Sequence, residues 1–96
     1  MSDSEVMHEE TGSKGRYFIQ HETGESELTY SVASATLKIA DHTGVAEGQE
    51  GKGIGLIMLR RFIQDARRDG FKILPLCPFV NAQRRKHPEW ADVFSV

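Results

Sequence analysis

The stretch Gly48-Gln49-Glu50-Gly51-Lys52-Gly53-Ile54-Gly55 decides how the rest of this chain is organised. It holds four glycines in eight residues, and glycine costs backbone entropy while adding no side chain to a core. An amphipathic helix pattern follows at once, from about Gly53 to Gly70. The bare N–H groups of the glycine turn would therefore meet the unpaired N-terminal donors of that helix. We predict a site for a phosphate-bearing ligand here.

The composition narrows the class of protein. A chain of 96 residues with a formal net charge of -2 is one small domain, without the overall basic field of a nucleic-acid-binding protein. Its single cysteine, Cys77, excludes an internal disulfide and a cysteine-rich zinc site, so we expect no bound metal. The longest apolar run is too short to span a membrane, and the N-terminus is acidic where a signal peptide would be basic. We expect a cytoplasmic protein that binds neither nucleic acid nor membrane.

Hydrophobic periodicity indicates the elements around the glycine stretch. Residues 1–14 are polar and read as a flexible N-terminal tail, followed by one domain over residues 15–96. Three short strands with brief connections predict an antiparallel meander before the helix. After the helix we predict a last strand, Phe71 to Cys77, and a second helix from about Phe79 to Lys86. The order is β-β-β-α-β-α.

Two common phosphate-binding motifs do not fit the glycine stretch. The Walker motif requires Ser or Thr directly after its Gly-Lys pair, where this chain has Gly53. The dinucleotide fingerprint fails because Gly51, Gly53 and Gly55 are spaced two apart and the strand-helix-strand unit is missing. What remains is a strand, a glycine turn and a helix.

Three ordered segments together resemble the GNAT superfamily of N-acetyltransferases, and most closely its small single-domain members. They are Asp41-His42-Thr43-Gly44-Val45, Gly51-Lys52-Gly53-Ile54-Gly55 and Leu76-Cys77-Pro78-Phe79-Val80. The resemblance covers residues 16 to 94. It implies an α+β fold of the three-layer α/β type, in which a mixed, mainly antiparallel sheet with splayed central strands is packed by two helices.

The resemblance also implies a function and a set of ligand contacts. The implied activity is an N-acetyltransferase that moves an acetyl group from acetyl-CoA to an amine acceptor, either a small amine or a protein amine. The implied cofactor contacts are Thr43, Gly44, Val45, Gly51, Lys52, Gly53, Ile54, Gly55, Cys77, Pro78, Phe79 and Arg84. Arg84 would meet the adenosine 3′-phosphate. Where the family pattern has Gln or Arg, this chain has Glu50, which predicts weaker binding of coenzyme A unless Gln49 substitutes through a shifted turn.

Two side chains are candidates for catalysis. Cys77 lies where the acetyl thioester would end, so a Cys77 thiolate activated by a neighbour such as His42 could accept the acetyl group; otherwise Cys77 is a small buried side chain that lines the pocket. His42 could take the proton from the incoming amine, or it could fix the splayed strand by a hydrogen bond. The rival function is a non-catalytic module that binds or senses acyl-CoA. We expect a monomer or a homodimer.

Overall fold

The computed structural model describes residues 6–96. The sheet and helices follow in chain order as β1 Met7–Thr11, β2 Lys14–His21, β3 Gly24–Ser34, β4 Leu37–Gly44, α1 Ile54–Asp69, β5 Lys72–Pro75 and α2 Pro78–Lys86, and a short 3₁₀ helix, Pro88–Val93, closes the chain. The five strands form one sheet in the order β1-β2-β3-β4-β5. Pairing is antiparallel from β1 to β4 and parallel between β4 and β5. The predicted mixed, mainly antiparallel sheet with two helices is confirmed, with one strand more than expected.

The additional strand corrects the predicted N-terminal tail. We expected residues 1–14 to be loose, but β1 pairs with β2 from Met7 opposite Phe18 to Thr11 opposite Lys14. The His8 ring also stacks on the Tyr17 ring, with 4.4 Å between their centroids. Hydrophobic periodicity did not predict this strand, because an edge strand tolerates charged side chains and this one shows no apolar alternation. Residues 1–5, the first part of that predicted tail, lie outside the described residues.

Strand β4 separates from β5 at a defined point. Its pairing with β3 skips from Ala40 opposite Tyr30 to His42 opposite Thr29, so Asp41 is the extra residue of a β-bulge, which bends a strand. Its pairing with β5 ends at Ala40 opposite Pro75. The last link is the Cys77 N–H, which donates to the Ala40 carbonyl at 2.9 Å. Beyond it β4 follows β3 alone to Gly44, which is the expected splay.

Both helices pack on one face of the sheet. Residues of α1, α2 and the 3₁₀ helix join β2 and β3 residues in a single buried cluster; among its members are Tyr17, Leu28, Tyr30, Met58, Phe62, Val80 and Trp90. The aromatic rings of Tyr30 and Phe62 lie 5.0 Å apart at its centre. The sheet and both helices therefore share one core. We call the other face of the sheet the open face.

Helix α1 ends as the sequence predicts but is buried differently. Gly70 adopts the left-handed conformation with φ 79°, and its N–H donates to the Ala66 carbonyl at 2.9 Å, so the predicted end of the helix at Gly70 is confirmed as a glycine cap. Asp65 is a charged residue of this amphipathic helix, and such residues usually face solvent. Instead it is 2% exposed and accepts a hydrogen bond from the Tyr17 hydroxyl at 2.7 Å. A polar residue at the edge of an apolar stripe can be buried when the facing strand supplies a donor.

Candidate functional site

A cleft of about 310 Å³ lies where the splay of β4 meets the start of α1. Its wall is formed by β4, the glycine turn, the first turn of α1 and α2. The lining residues are Thr43, Val45, Gln49, Glu50, Gly51, Gly53, Ile54, Gly55, Leu56, Phe79 and Gln83. The structure thus brings seven of the predicted contact residues to one cleft: Thr43, Val45, Gly51, Gly53, Ile54, Gly55 and Phe79.

One end of the cleft is suited to an anion. Gly51 and Gly53 both adopt left-handed backbone conformations, with φ 79° and 75°, which side-chain-bearing residues rarely do. Gly53 is the N-cap of α1, no side chain caps the helix there, and its first turn carries no acidic residue. The N-terminal donors and positive end of the helix dipole therefore face the cleft without an internal anion from the helix itself. Lys52 is exposed between the two glycines.

Gly55 is needed for packing, which corrects our first interpretation of the stretch. A Cβ built on Gly55 would lie 2.9 Å from the Phe79 ring, closer than real Cβ contacts allow. The absence of a side chain therefore lets α2 approach α1 at the cleft wall. No local pattern could predict this contact, because Gly55 and Phe79 are more than twenty positions apart in the chain.

Glu50, the residue that departs from the family pattern, makes a hydrogen bond within the glycine turn and also lines the cleft. Its side chain accepts a hydrogen bond from the Gly48 N–H at 3.0 Å, which closes the turn on itself. It also lines the cleft, so a carboxylate stands near the proposed anion end. The repulsion that the sequence predicts, between the Glu50 carboxylate and a bound phosphate group, is therefore also expected from the structure.

Cys77 lies behind the cleft wall and contacts Thr43. It is 2% exposed, and its Sγ is 3.3 Å from the Thr43 Oγ1, which does line the cleft. Cys77 is also the N-cap of α2, where a thiol faces the positive end of the helix dipole.

His42 does not lie on the same side of β4 as Cys77. Successive strand residues point to opposite faces, so His42 and Gly44 flank Thr43 but face away from it. The His42 side chain is exposed on the open face, and its Nε2 would be 3.4 Å from a Cβ added to Gly44. The structure therefore does not join His42 and Cys77 into the pair that we had considered.

Helix α2 offers a different residue to the cleft from the one expected. Arg84 donates from Nε to the Asn81 Oδ1 at 2.8 Å and does not line the cleft, and neither does Pro78 at the start of the helix. Phe79 and Gln83 do, because residues four apart share one face of a helix. That spacing could have identified Gln83 from the sequence, whereas Leu56 carried no signal.

Residues 6–96 contain no group of three or more His, Cys, Asp or Glu side chains arranged to hold a metal ion. None of the helices within these residues is long and apolar enough to cross a lipid bilayer.

Comparisons with known proteins agree with this geometry. The family model described as GCN5-related N-acetyltransferase matches residues 16–93, most of the chain. A solution structure from Staphylococcus aureus, named a "GCN5-like putative N-acetyltransferase", is 26% identical and superposes with a TM-score of 0.72, covering 96% of this chain and 90% of that one. Among curated proteins no sequence matches the chain. The chain belongs to the GCN5-related N-acetyltransferase family.

Proposed function

We propose that this protein transfers an acetyl group from acetyl-CoA to an amine. The observation that carries the proposal is the single cleft that joins an uncapped helix N-terminus to the splayed end of β4. Acetyl-CoA has the matching parts: a pyrophosphate at one end, an extended pantetheine arm, and an acetyl thioester that supplies an activated acyl group.

The anion end of the cleft would hold the pyrophosphate. Left-handed Gly51 and Gly53 leave backbone N–H groups available without side chains in the way, and helix N-termini bind phosphate through such groups. Lys52 adds a positive charge beside them. The donor set of this end therefore fits the group, with Glu50 as the one opposing residue.

The splayed end would hold the pantetheine arm. Because β4 is paired with β5 only as far as Ala40, the main chain around Thr43 and Val45 borders a gap in which an extended arm with amide groups can pair as a strand would. Thr43 and Cys77 lie at the inner end of this gap. They are the side chains that would surround the thioester.

The roles of the chain's own groups in the transfer follow from this placement. Cys77 is buried and bonded to Thr43, with His42 on the opposite face of β4, so we assign direct attack by the amine and not an acetyl-cysteine intermediate. His42 is exposed on the open face and Thr43 faces the cleft, so His42 would accept the proton that the amine loses across the gap between β4 and β5 and not from within the cleft. The Thr43 hydroxyl and the Cys77 thiol would supply polar hydrogens near the departing thiolate.

Acetyl transfer is tested with acetyl-CoA and a panel of amines, followed by mass spectrometry of products and protein. We expect at least one amine to be acetylated. Cys77→Ala should keep turnover within about tenfold of the wild type, since a pocket-lining thiol contributes little more than one hydrogen bond. Loss of all turnover in a folded Cys77→Ala protein, together with an acetylated cysteine in the wild type, would instead establish the covalent route.

A non-catalytic acyl-CoA-binding or sensing module is the second candidate, and Glu50 is the observation that favours it. Its carboxylate lines the cleft near the proposed pyrophosphate position. Such a module would bind acetyl-CoA while acetylating no member of the amine panel. Binding of acetyl-CoA without acetylation of any amine would therefore favour the binding or sensing module over the transferase.

Glu50→Gln is expected to strengthen the binding of coenzyme A about three- to tenfold. The substitution removes one negative charge from the cleft and keeps an acceptor for the Gly48 N–H, and two charges near a protein surface interact by roughly 1 kcal/mol or more at low salt. Isothermal titration calorimetry measures the change. Glu47→Gln, an exposed residue of the same loop that does not line the cleft, is the matched control. Equal effects of the two substitutions would mean that Glu50 acts only through overall charge.

A further inference from the structure

Two side chains in contact close the inner end of the cleft. Thr43, near the splayed end of β4, lines the cleft, and its Oγ1 lies 3.3 Å from the Cys77 Sγ. Cys77 is 2% exposed and stands behind Thr43, outside the cleft lining. We call Thr43 and Cys77 together the end wall of the cleft.

The main chain fixes the Cys77 side of the end wall. The Cys77 N–H donates to the Ala40 carbonyl at 2.9 Å, and the Cys77 carbonyl accepts the first hydrogen bond of α2, from the Asn81 N–H at 2.9 Å. Pro78 restricts the residue before it to extended geometry, which Cys77 adopts. Cys77 therefore cannot withdraw from the end wall unless these backbone hydrogen bonds break.

The sheet fixes the Thr43 side. Strand β4 is paired with β3 at this point, with Thr43 opposite the fully buried Leu28. Threonine is branched at Cβ and has few side-chain conformations available. Its methyl and hydroxyl groups therefore hold fixed positions, and both sides of the end wall are rigid.

The end wall stands where the acyl group of a bound thioester would lie. The gap that borders Thr43 and Val45 ends at the bond between Cys77 and Ala40, so an arm laid along the gap brings its thioester to the end wall. Ala40 is fully buried, and Cys77 belongs to the buried cluster. Protein interiors are close-packed, so a longer acyl group would have to displace these side chains, which is unfavourable.

We propose that Thr43 and Cys77 set the length of the acyl group that the cleft accepts, admitting acetyl and excluding longer chains. The inference rests on the proposed function, since it takes an acyl-CoA as the ligand of the cleft. It gives Cys77 a role that depends on the volume and fixed position of its side chain. Neither ionisation nor acylation of the thiol is required.

The end wall is tested by isothermal titration calorimetry with coenzyme A, acetyl-CoA and propionyl-CoA, in the absence of an amine. Each thioester is compared with free coenzyme A in the same variant, so that effects on the phosphate end cancel. The wild type should bind propionyl-CoA about tenfold more weakly than acetyl-CoA, the effect of one methylene group for which a pocket has no room. Cys77→Ala and Thr43→Ser each remove one heavy atom from the end wall, so each should bring propionyl-CoA within about threefold of acetyl-CoA. A misfolded variant could not gain relative affinity for the larger ligand.

Two control variants separate the shape of the end wall from other effects. Thr43→Val keeps the branched shape and replaces the hydroxyl by a methyl group, so it should keep the preference for acetyl-CoA whatever its overall affinity. Val93→Ala removes buried volume from the 3₁₀ helix, outside the cleft lining, and should also keep the preference. If either control relaxed the preference as much as Cys77→Ala does, the hydroxyl or a general loosening of the core would be responsible, and the inference would be wrong.

The outcomes for the end wall and for the proposed function can be told apart. The predicted preference without acetylation of any amine would support the end wall and count against the transferase. Acetylation of an amine by a wild type that binds acetyl-CoA and propionyl-CoA equally would support the transferase and overturn the end wall, because the longer chain would then leave through the gap. Absence of any binding of coenzyme A or its thioesters would overturn both.

Discussion

Replacing Gly53 by alanine is expected to weaken the binding of coenzyme A about tenfold, a loss of about 1.4 kcal/mol. Gly53 has φ 75° and is the N-cap of α1, and a left-handed conformation costs a residue with a Cβ roughly 1–2 kcal/mol. The turn would relax away from the arrangement that directs its N–H groups into the cleft. The added methyl group would itself occupy open space at the cleft, since nothing lies within 4 Å of it. Isothermal titration calorimetry with coenzyme A measures the loss.

Gly48→Ala is the matched control for this prediction. Gly48 has nearly the same backbone conformation, with φ 82°, and a Cβ there would also meet open space. It does not line the cleft, so the substitution introduces the same strain outside the proposed site. If Gly48→Ala weakened binding as much as Gly53→Ala, the effect would come from general loosening of the loop, and the glycine turn would lose its proposed role.

The parts of the fold that the sequence predicts are those with a strong local signal. The amphipathic pattern predicts α1, and Gly70, where that pattern ends, forms the left-handed cap of the helix. The family resemblance implied the splay, and pairing between β4 and β5 does stop at Pro75, which cannot donate a ladder hydrogen bond. In each case a single residue limits what the backbone can do.

The parts that escaped prediction depend on contacts between distant segments. Strand β1 carries His8 and acidic residues, and its place in the sheet becomes visible only when the His8 ring meets Tyr17 and Tyr30. Gly55 has no room for a side chain because the Phe79 ring of α2 packs against it, and the rest of α1 and strand β5 separate the two residues in the chain. The same limit applies to His42 and Cys77 at the candidate site. His42 was considered as a neighbour that could activate Cys77, but Cys77 contacts Thr43, and the two-residue period of β4 points His42 to the opposite face from Thr43. The periodicity of a sequence predicts which face of a strand or helix a side chain occupies, but it does not predict which residue that side chain contacts.

Asp65→Ala is expected to lower the free energy of unfolding by about 2–3 kcal/mol, the effect of leaving a buried donor without its acceptor. The Asp65 carboxylate accepts a hydrogen bond from the Tyr17 hydroxyl at 2.7 Å and another from the Arg61 Nε at 3.3 Å. Burial and the bond to Asp65 raise the pKa of Tyr17, so its hydroxyl remains a donor at every working pH. Urea unfolding measures the loss as a lower midpoint at unchanged slope.

A double-mutant cycle tests whether the free energy of unfolding lost in Asp65→Ala comes from leaving the Tyr17 hydroxyl without its acceptor. Tyr17→Phe removes the buried donor, so adding Asp65→Ala to Tyr17→Phe should cost about 1–2 kcal/mol less than adding it to the wild type. Asp69→Ala, an exposed acidic residue in the last turn of the same helix, should leave the midpoint unchanged. Additive effects of Tyr17→Phe and Asp65→Ala would show that the two side chains do not stabilise each other. Since Tyr17 is on β2 and Asp65 on α1, coupling between them would mean that this buried bond fixes the helix whose N-terminus forms the candidate site.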